Sequence, residues 1–284
     1  MQIVSVCQTM FKRSSNEMVL QSLVFRLTLR TRIVPKNKLL DNTAWKIEFC
    51  EECASTNAAL KEKRVAGEIA DRTALMTYFQ TNGRGQGKNA WHSAKGKNLL
   101  CSFYRQLELP VANHFMLNIA TSLSLFKVLS SLHISTTIKW PNDIYVGNSK
   151  IAGILIENTL MRNLINETTI GIGLNVNETA FPDWLPNPCS IAGVCGNKYE
   201  LKDLLTVILS ELDIQLNQLG TASDELLQTY QSLLYRINSW HHFRINKKVE
   251  KGLILGVERD GRLIVEFNNG KLQRFLFGEI QYVI

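Results

Sequence analysis

Lys139-Trp140-Pro141-Asn142-Asp143-Ile144-Tyr145-Val146-Gly147-Asn148-Ser149-Lys150-Ile151-Ala152-Gly153 decides how this chain is read, because it joins a tight turn to two lysines and an aspartate. Pro141 ends one extended run, and Gly147-Asn148, between Ile144-Tyr145-Val146 and the run from Ile151 onward, is a two-residue hairpin signal. With those two residues as the loop, Tyr145 pairs with Lys150 and Asp143 with Ala152, so Asp143, Tyr145 and Lys150 share one face. Ile144, Val146 and Ile151 then face a core. A charge-bearing face backed by an apolar one is how a sheet presents a site, although one Lys and one Asp on a surface hairpin are more often simply solvated.

The 284 residues, 45% of them apolar, suffice for a well-buried core and one large or two smaller domains. No stretch of about 18 apolar residues is present, so no membrane span is expected. The six cysteines (Cys7, Cys50, Cys53, Cys101, Cys189, Cys195) are scattered, and Cys50-x-x-Cys53 lacks the second half of a zinc site. Reduced thiols in a cytoplasmic protein are the expectation. The net charge of +7 is concentrated at one end: residues 1–40 hold seven bases and one acid, leaving 25 bases and 24 acids in the other 244 residues. A nearly neutral body is not built for binding a phosphate backbone, so no specific nucleic acid is expected as partner. The basic leader lacks a secretory signal's apolar core and cleavage site. It is read as a disordered extension over 1–43, with an organelle transit peptide in 1–40 as the alternative.

From residue 44 strands and helices alternate. Strands are predicted at Trp45–Cys50, Ala74–Phe79, Leu99–Tyr104 and Thr168–Val176, and a helix from the Ser55-Thr56-Asn57 cap to Arg64. Met116, Ile119, Ala120, Leu123 and Phe126 predict a core helix over 113–132; the leucines from Leu201 to Leu219 predict another, and Glu225–Tyr235 a third. Residues 245–284 are short alternating runs broken by Asp260-Gly261 and Asn269-Gly270, the texture of a small all-β module. The expected domains are 44–236 and 237–284.

A second cluster is Gly83-Arg84-Gly85-Gln86-Gly87-Lys88-Asn89. Asn82 and Asn89 break a Walker A reading and Lys88 breaks GxGxxG, yet the loop still offers free backbone N–H groups and two cations to an anion. With Lys139 and Lys150 as further cations, Asp143 as a candidate Mg2+ ligand, and Asn57, Gln80, Asn142, Asn175 and Asn177 as neutral polar groups, the set suits a reaction between a carboxylate and a nucleoside triphosphate. His241-His242 reads as a packed or solvated pair rather than a metal site.

The run Gly83–Gln86 through Trp91-x-Ser93, the Lys139–Asp143 block, Lys150-Ile151-Ala152-Gly153-Ile154-Leu155-Ile156-Glu157, and Gly171-Ile172-Gly173-Leu174-Asn175-Val176-Asn177 resemble the biotin protein ligase family in order and spacing. Ser55-Thr56-Asn57 matches its biotin-contacting turn, and Phe277-Gly278-Glu279-Ile280 resembles the end of its C-terminal SH3-like barrel. The resemblance covers roughly residues 44–284. It implies an α+β fold, a mixed-sheet catalytic domain followed by a small SH3-like β-barrel. It also implies an ATP- and Mg2+-dependent ligase that forms biotinyl-5′-AMP and passes biotin to a lysine of a carboxylase's biotin carboxyl carrier domain.

By the same resemblance Ser55, Thr56, Asn57 and Gln80 recognise biotin, and Arg84, Gly85 and Gln86 belong to the loop that orders over it. Lys150 meets the biotin carboxylate and α-phosphate, with Arg84 and Asp143 as further catalytic groups. Lys139, Asn142, Asp143 and Asn175 attend the nucleotide, and Trp91 is a packing wall. The chain departs from the family at Gly87-Lys88-Asn89, where many members carry a second Gly-Arg, and at Gln86, where some carry Arg. Those departures bear on retention of the adenylate. A lipoate-type ligase is the rival, disfavoured because its Arg-Arg-x-x-Gly-Gly-Gly pattern is absent. A DNA-binding biotin sensor is the other alternative, and it requires residues 1–43 to bind DNA. A homodimer is left open.

Overall fold

The computed structural model describes residues 45–283; the extension expected over 1–43 lies outside the described residues. Strand β1 (Lys46–Cys53) pairs in parallel with β2 (Thr73–Gln80), and the return between them is helix α1 (Thr56–Val65), which begins at Ser55 in an extended conformation. Strand β3 (Leu99–Pro110) runs six residues beyond the predicted Tyr104. Helix α2 (Phe115–Ser131) is buried on nearly all sides, because it lies between the sheet and two later helices.

The quoted stretch forms β4 (Thr137–Lys139), β5 (Asp143–Val146) and the start of β6 (Ser149–Met161), with β7 (Leu164–Leu174) returning beside it. The resulting sheet has the order β1-β2-β3-β7-β6-β5-β4. Every pairing but β1/β2 is antiparallel, so the sheet is mixed as expected. Tyr145 does pair with Lys150. Asp143, however, faces Gly153 rather than Ala152, because the register slips by one residue between Ile144 and Tyr145. That bulge leaves Ile151 unpaired and aims it, with Ile144, into the core, both fully buried. Val146 is only half-buried.

Helices α3 (Ile191–Cys195), α4 (Leu201–Asn217) and α5 (Ser223–Ser232) follow, and α4 and α5 cover α2. Helix α5 stops before the predicted Tyr235 for a visible reason: Ile138 N–H donates to Leu233 O and Tyr235 N–H to Ile138 O, both at 2.8 Å. The edge strand β4 thus captures the segment that would have continued the helix.

Strands β8 (Trp240–Ile245), β9 (Lys248–Val257), β10 (Leu263–Phe267), β11 (Leu272–Phe275) and β12 (Gln281–Tyr282) make a five-stranded antiparallel sheet in the order β11-β10-β9-β8-β12. It stands where the SH3-like module was expected. Trp140 Nε1–H donates to Gly261 O at 2.8 Å and Arg236 to Val283 O at 2.8 Å, and the residues from Lys46 onward form one compact unit. No helix among the described residues is long and apolar enough to cross a membrane. The five described cysteines are unpaired.

Candidate active site

The two charged clusters of the sequence meet across one cavity of about 570 Å3. Its wall includes Ser55, Thr56, Asn57 and Gln80 on one side, Arg84, Gly85 and Gln86 from the loop after β2, and Lys139, Asn142, Asp143 and Lys150 from the hairpin. All the residues expected to contact biotin or nucleotide therefore converge except Asn175, which lies outside this lining. Its amide instead donates to Cys189 O at 3.0 Å and its backbone N–H to Ile151 O at 2.9 Å, holding the strand that carries Lys150 to the loop before α3. Lys88 and Asn177 also lie off the wall; the Asn177 amide donates to Tyr199 O.

The neutral end of the cavity is a chain of hydrogen bonds. Thr56 N–H donates to Gln80 Oε1 at 2.8 Å, Thr56 and Ser102 share a hydroxyl contact at 2.6 Å, and the Ser102 hydroxyl donates to Asn57 Oδ1 at 2.6 Å. Asn57, only 3% exposed, lies directly over Gly171, where a Cβ would overlap Asn57 Oδ1. A glycine there is a requirement of that close approach.

The charged end is paired before any substrate arrives. Lys150 Nζ meets Asp143 Oδ1 at 2.6 Å, and the lysine's side chain passes over Gly153, where a Cβ would come 3.2 Å from Nζ. The Trp91 ring stands 5.4 Å from the same ammonium and lies close over Gly153 and Gly173. Lys139 Nζ donates to Tyr145 Oη at 3.0 Å and lies over the rings of Tyr145 and Tyr282. Burial pushes the Lys139 pKa down, with Asp143 opposing the shift. Burial also raises the Tyr145 phenol, and the Asp143 charge adds to the effect, so this hydroxyl stays protonated. Three cations and one carboxylate on the wall favour an anionic substrate.

The loop 83–89 spends part of its backbone on itself, since Gly85 N–H donates to Asn89 O and Trp91 N–H to Gly83 O. Arg84 reaches across to Glu157 Oε1 at 2.7 Å. The buried carboxylate of Glu178 accepts from Asn98 Nδ2 at 2.5 Å and from Ala94 N–H at 3.1 Å, fixing the segment after Trp91.

Several wall residues escape the sequence reading. Phe277 and Ile280 come from the turn between β11 and β12, Gln281 and Tyr282 from β12, and Pro186 from the Pro-rich loop. The Phe277–Ile280 motif marked the end of a module, and only the fold shows that this end closes the cavity.

Cys189 adjoins Lys150 through backbone pairing, and burial pushes its thiol up to about 11. At pH 8 about one molecule in a thousand then carries the thiolate. Iodoacetamide labelling of Cys189, followed by peptide mass, should be slow at pH 8 and rise about tenfold per pH unit up to pH 10.

The mixed sheet thus carries a cation-lined cavity with an uncharged, hydrogen-bonding end, a lining that suits an anionic substrate with a polar head. Residues 50–175 match the biotin/lipoate A/B protein ligase family and residues 242–282 the biotin protein ligase C-terminal domain; together they span more than half of the chain, which belongs to this family. The C-terminal match sets it on the biotin protein ligase side.

Among similar proteins, the biotin--[acetyl-CoA-carboxylase] ligase of Mycobacterium tuberculosis is 25% identical over 236 residues, 79% of this chain and 85% of that protein. The bifunctional ligase/repressor BirA of Escherichia coli is 29% identical over 231 residues, 80% of this chain and 70% of that protein. The fold is that of the biotin protein ligase from Aquifex aeolicus solved in complex with biotin and ATP, with a TM-score of 0.70, 24% identity, and coverage of 84% of this chain and 99% of that one.

Proposed function

We infer that this chain activates biotin with ATP and transfers it to a lysine of a carboxylase's biotin carboxyl carrier domain. The observation that carries the reading is the convergence of Asn57, Gln80, Arg84, Asp143 and Lys150 on one cavity in a chain whose C-terminal module matches the biotin protein ligase domain. A carboxylate oxygen of biotin attacks the α-phosphorus of ATP; the bond from that phosphorus to the bridging oxygen breaks, and pyrophosphate leaves. The acceptor lysine's amine then attacks the acyl carbon of biotinyl-5′-AMP, releases AMP and gives up a proton.

The uncharged end suits the urea ring of biotin, which offers one carbonyl acceptor and two N–H donors. With Gln80 Oε1 held by Thr56, the Gln80 amide nitrogen is left as a donor, and the Ser55, Thr56 and Asn57 oxygens as acceptors. Lys150 would leave Asp143 to meet the carboxylate and α-phosphate, and Lys139 and Asn142 would face the nucleotide. A phosphate beside the desolvated Lys139 favours its charged form.

Asp143 suits Mg2+, which takes one or two carboxylates and completes its shell with substrate phosphates and water rather than an all-protein cage. No group of three or more candidate ligands occurs among the described residues, in keeping with such an open site. Bound there, Mg2+ would neutralise phosphate charge. A nucleotide-retaining role for Asn175 is indirect, through the strand that carries Lys150.

The reading is tested by incubating the protein with ATP, biotin and an isolated carrier domain, alongside a carrier whose acceptor lysine is arginine. Biotin on the first carrier alone is the expected result; biotin on neither refutes the transfer step.

A further inference from the structure

We propose that Glu157 is a positioning residue that ties the Arg84 loop to the Asn57 turn, so that one carboxylate sets both the closure of the cavity and the orientation of its biotin-facing amide. This rests on the functional reading above. Glu157 sits on β6 opposite Thr169, and its two oxygens serve two different elements: Oε1 accepts from Arg84 at 2.7 Å and Oε2 from Asn57 Nδ2 at 2.7 Å.

An ionised carboxylate only accepts hydrogen bonds, so the Asn57 amide must present Nδ2 to it and Oδ1 to the opposite side, where the Ser102 hydroxyl donates to it. The bare Cα of Gly171 beneath Asn57 leaves the side chain no room to swing downward. Glu157, joined by the Leu155 carbonyl that the same Nδ2 reaches at 3.4 Å, thereby fixes which face of the cavity donates and which accepts. A urea ring, with its fixed pattern of donors and acceptor, is sensitive to that choice.

On the other side, the loop is short of cations. Lys88 lies off the cavity wall, and Gln86, which lines it, is uncharged and keeps a buried Oε1 without a hydrogen-bond partner. The Arg84–Glu157 pair is the link that closes this loop across to the strand bearing the Lys150 hairpin. Both side chains remain partly exposed, at 43% and 32%, so the tie is screened by salt and can be exchanged for a substrate anion.

The test is Glu157→Gln, close to isosteric and uncharged, with Arg84→Met and the double variant as comparisons. In the ligand-free protein, tryptic cleavage after Arg84 or Lys88 should rise about fivefold in Glu157→Gln, with cleavage at Lys247 and Lys248 unchanged. In biotin-dependent pyrophosphate exchange, KM for biotin should rise about tenfold and kcat fall less than about threefold, and raising salt should close the gap to wild type. In the double variant the rise in KM should fall short of the product of the two single effects, because the shared Arg84–Glu157 tie can be lost only once. Loop cleavage and KM at wild-type values, or effects that multiply independently in the double variant, would overturn the proposal. A wild type without biotin-dependent exchange contradicts the functional reading instead, and the cleavage arm still decides whether Glu157 holds the loop.

Discussion

Replacing Lys150 by alanine is expected to lower biotin-dependent pyrophosphate exchange about a thousandfold with the fold intact. The magnitude follows from the reaction. Two negative groups brought to ~4 Å repel by ~4 kcal/mol at an effective dielectric of ~20, and that is about three powers of ten in rate. Lys150 is the cation placed to cancel this repulsion, since it already holds the Asp143 carboxylate at 2.6 Å and faces the cavity. Removing it also deprives Asp143 of its ion-pair partner beside the incoming phosphates, which acts in the same direction. Circular dichroism should be unchanged, because the Lys150 side chain is partly exposed and its backbone bonds to Asn187 and Cys189 persist. Near-normal exchange in this variant would remove Lys150 from the chemistry.

The second large effect is expected at a residue with no side chain. Gly171→Ala puts a methyl group where Asn57 Oδ1 now lies, and Asn57 is buried and held by Ser102 at 2.6 Å and Glu157 at 2.7 Å. Asn57 must move, and its bonds to both partners break. Loss of one or two such bonds, with their buried partners left unmatched, corresponds to about a hundredfold weaker biotin binding. ATP binding should change less than about threefold, because the methyl group is on the uncharged side of the cavity. Calorimetric titration with each ligand separates the two. Unchanged biotin affinity would place Asn57 outside the biotin contact.

What the sequence makes legible and what it hides divide along physical lines. The pairing of Tyr145 with Lys150 is readable because a two-residue Gly-Asn turn fixes strand parity. The bulge at Ile151 is not, since no residue type there marks it, and it moves the partner of Asp143 by one position. The long hairpin of β6 and β7 escapes notice for a similar reason: its tip turns through Arg162 at φ 56, without the glycine or proline that usually marks a turn.

Helix α5 ends early through capture of residues 233–235 by β4, a tertiary event that periodicity cannot register. At the site, charged and amide residues near strand ends are visible as types, and eleven of the twelve named for biotin or nucleotide line the cavity wall. Ser102 and Glu157 are hidden because their partners lie 45 and 100 residues away from them in sequence, so only the sheet brings them together. Tyr282 and its neighbours are hidden because a second sheet supplies them.

The measurement that bears most directly on the whole account is the mass of the product formed from ATP and an acid. The family match over residues 50–175 spans biotin and lipoate ligases alike, and the C-terminal match with the uncharged Asn57–Gln80 end of the cavity favours biotin. Incubating the protein with ATP, Mg2+ and either biotin or lipoate, and then examining the mixture by mass spectrometry, should show biotinyl-5′-AMP and pyrophosphate in the first case and no lipoyl-adenylate in the second. Lipoyl-adenylate formed as readily as the biotin product, or no acyl-adenylate from biotin at all, would contradict it.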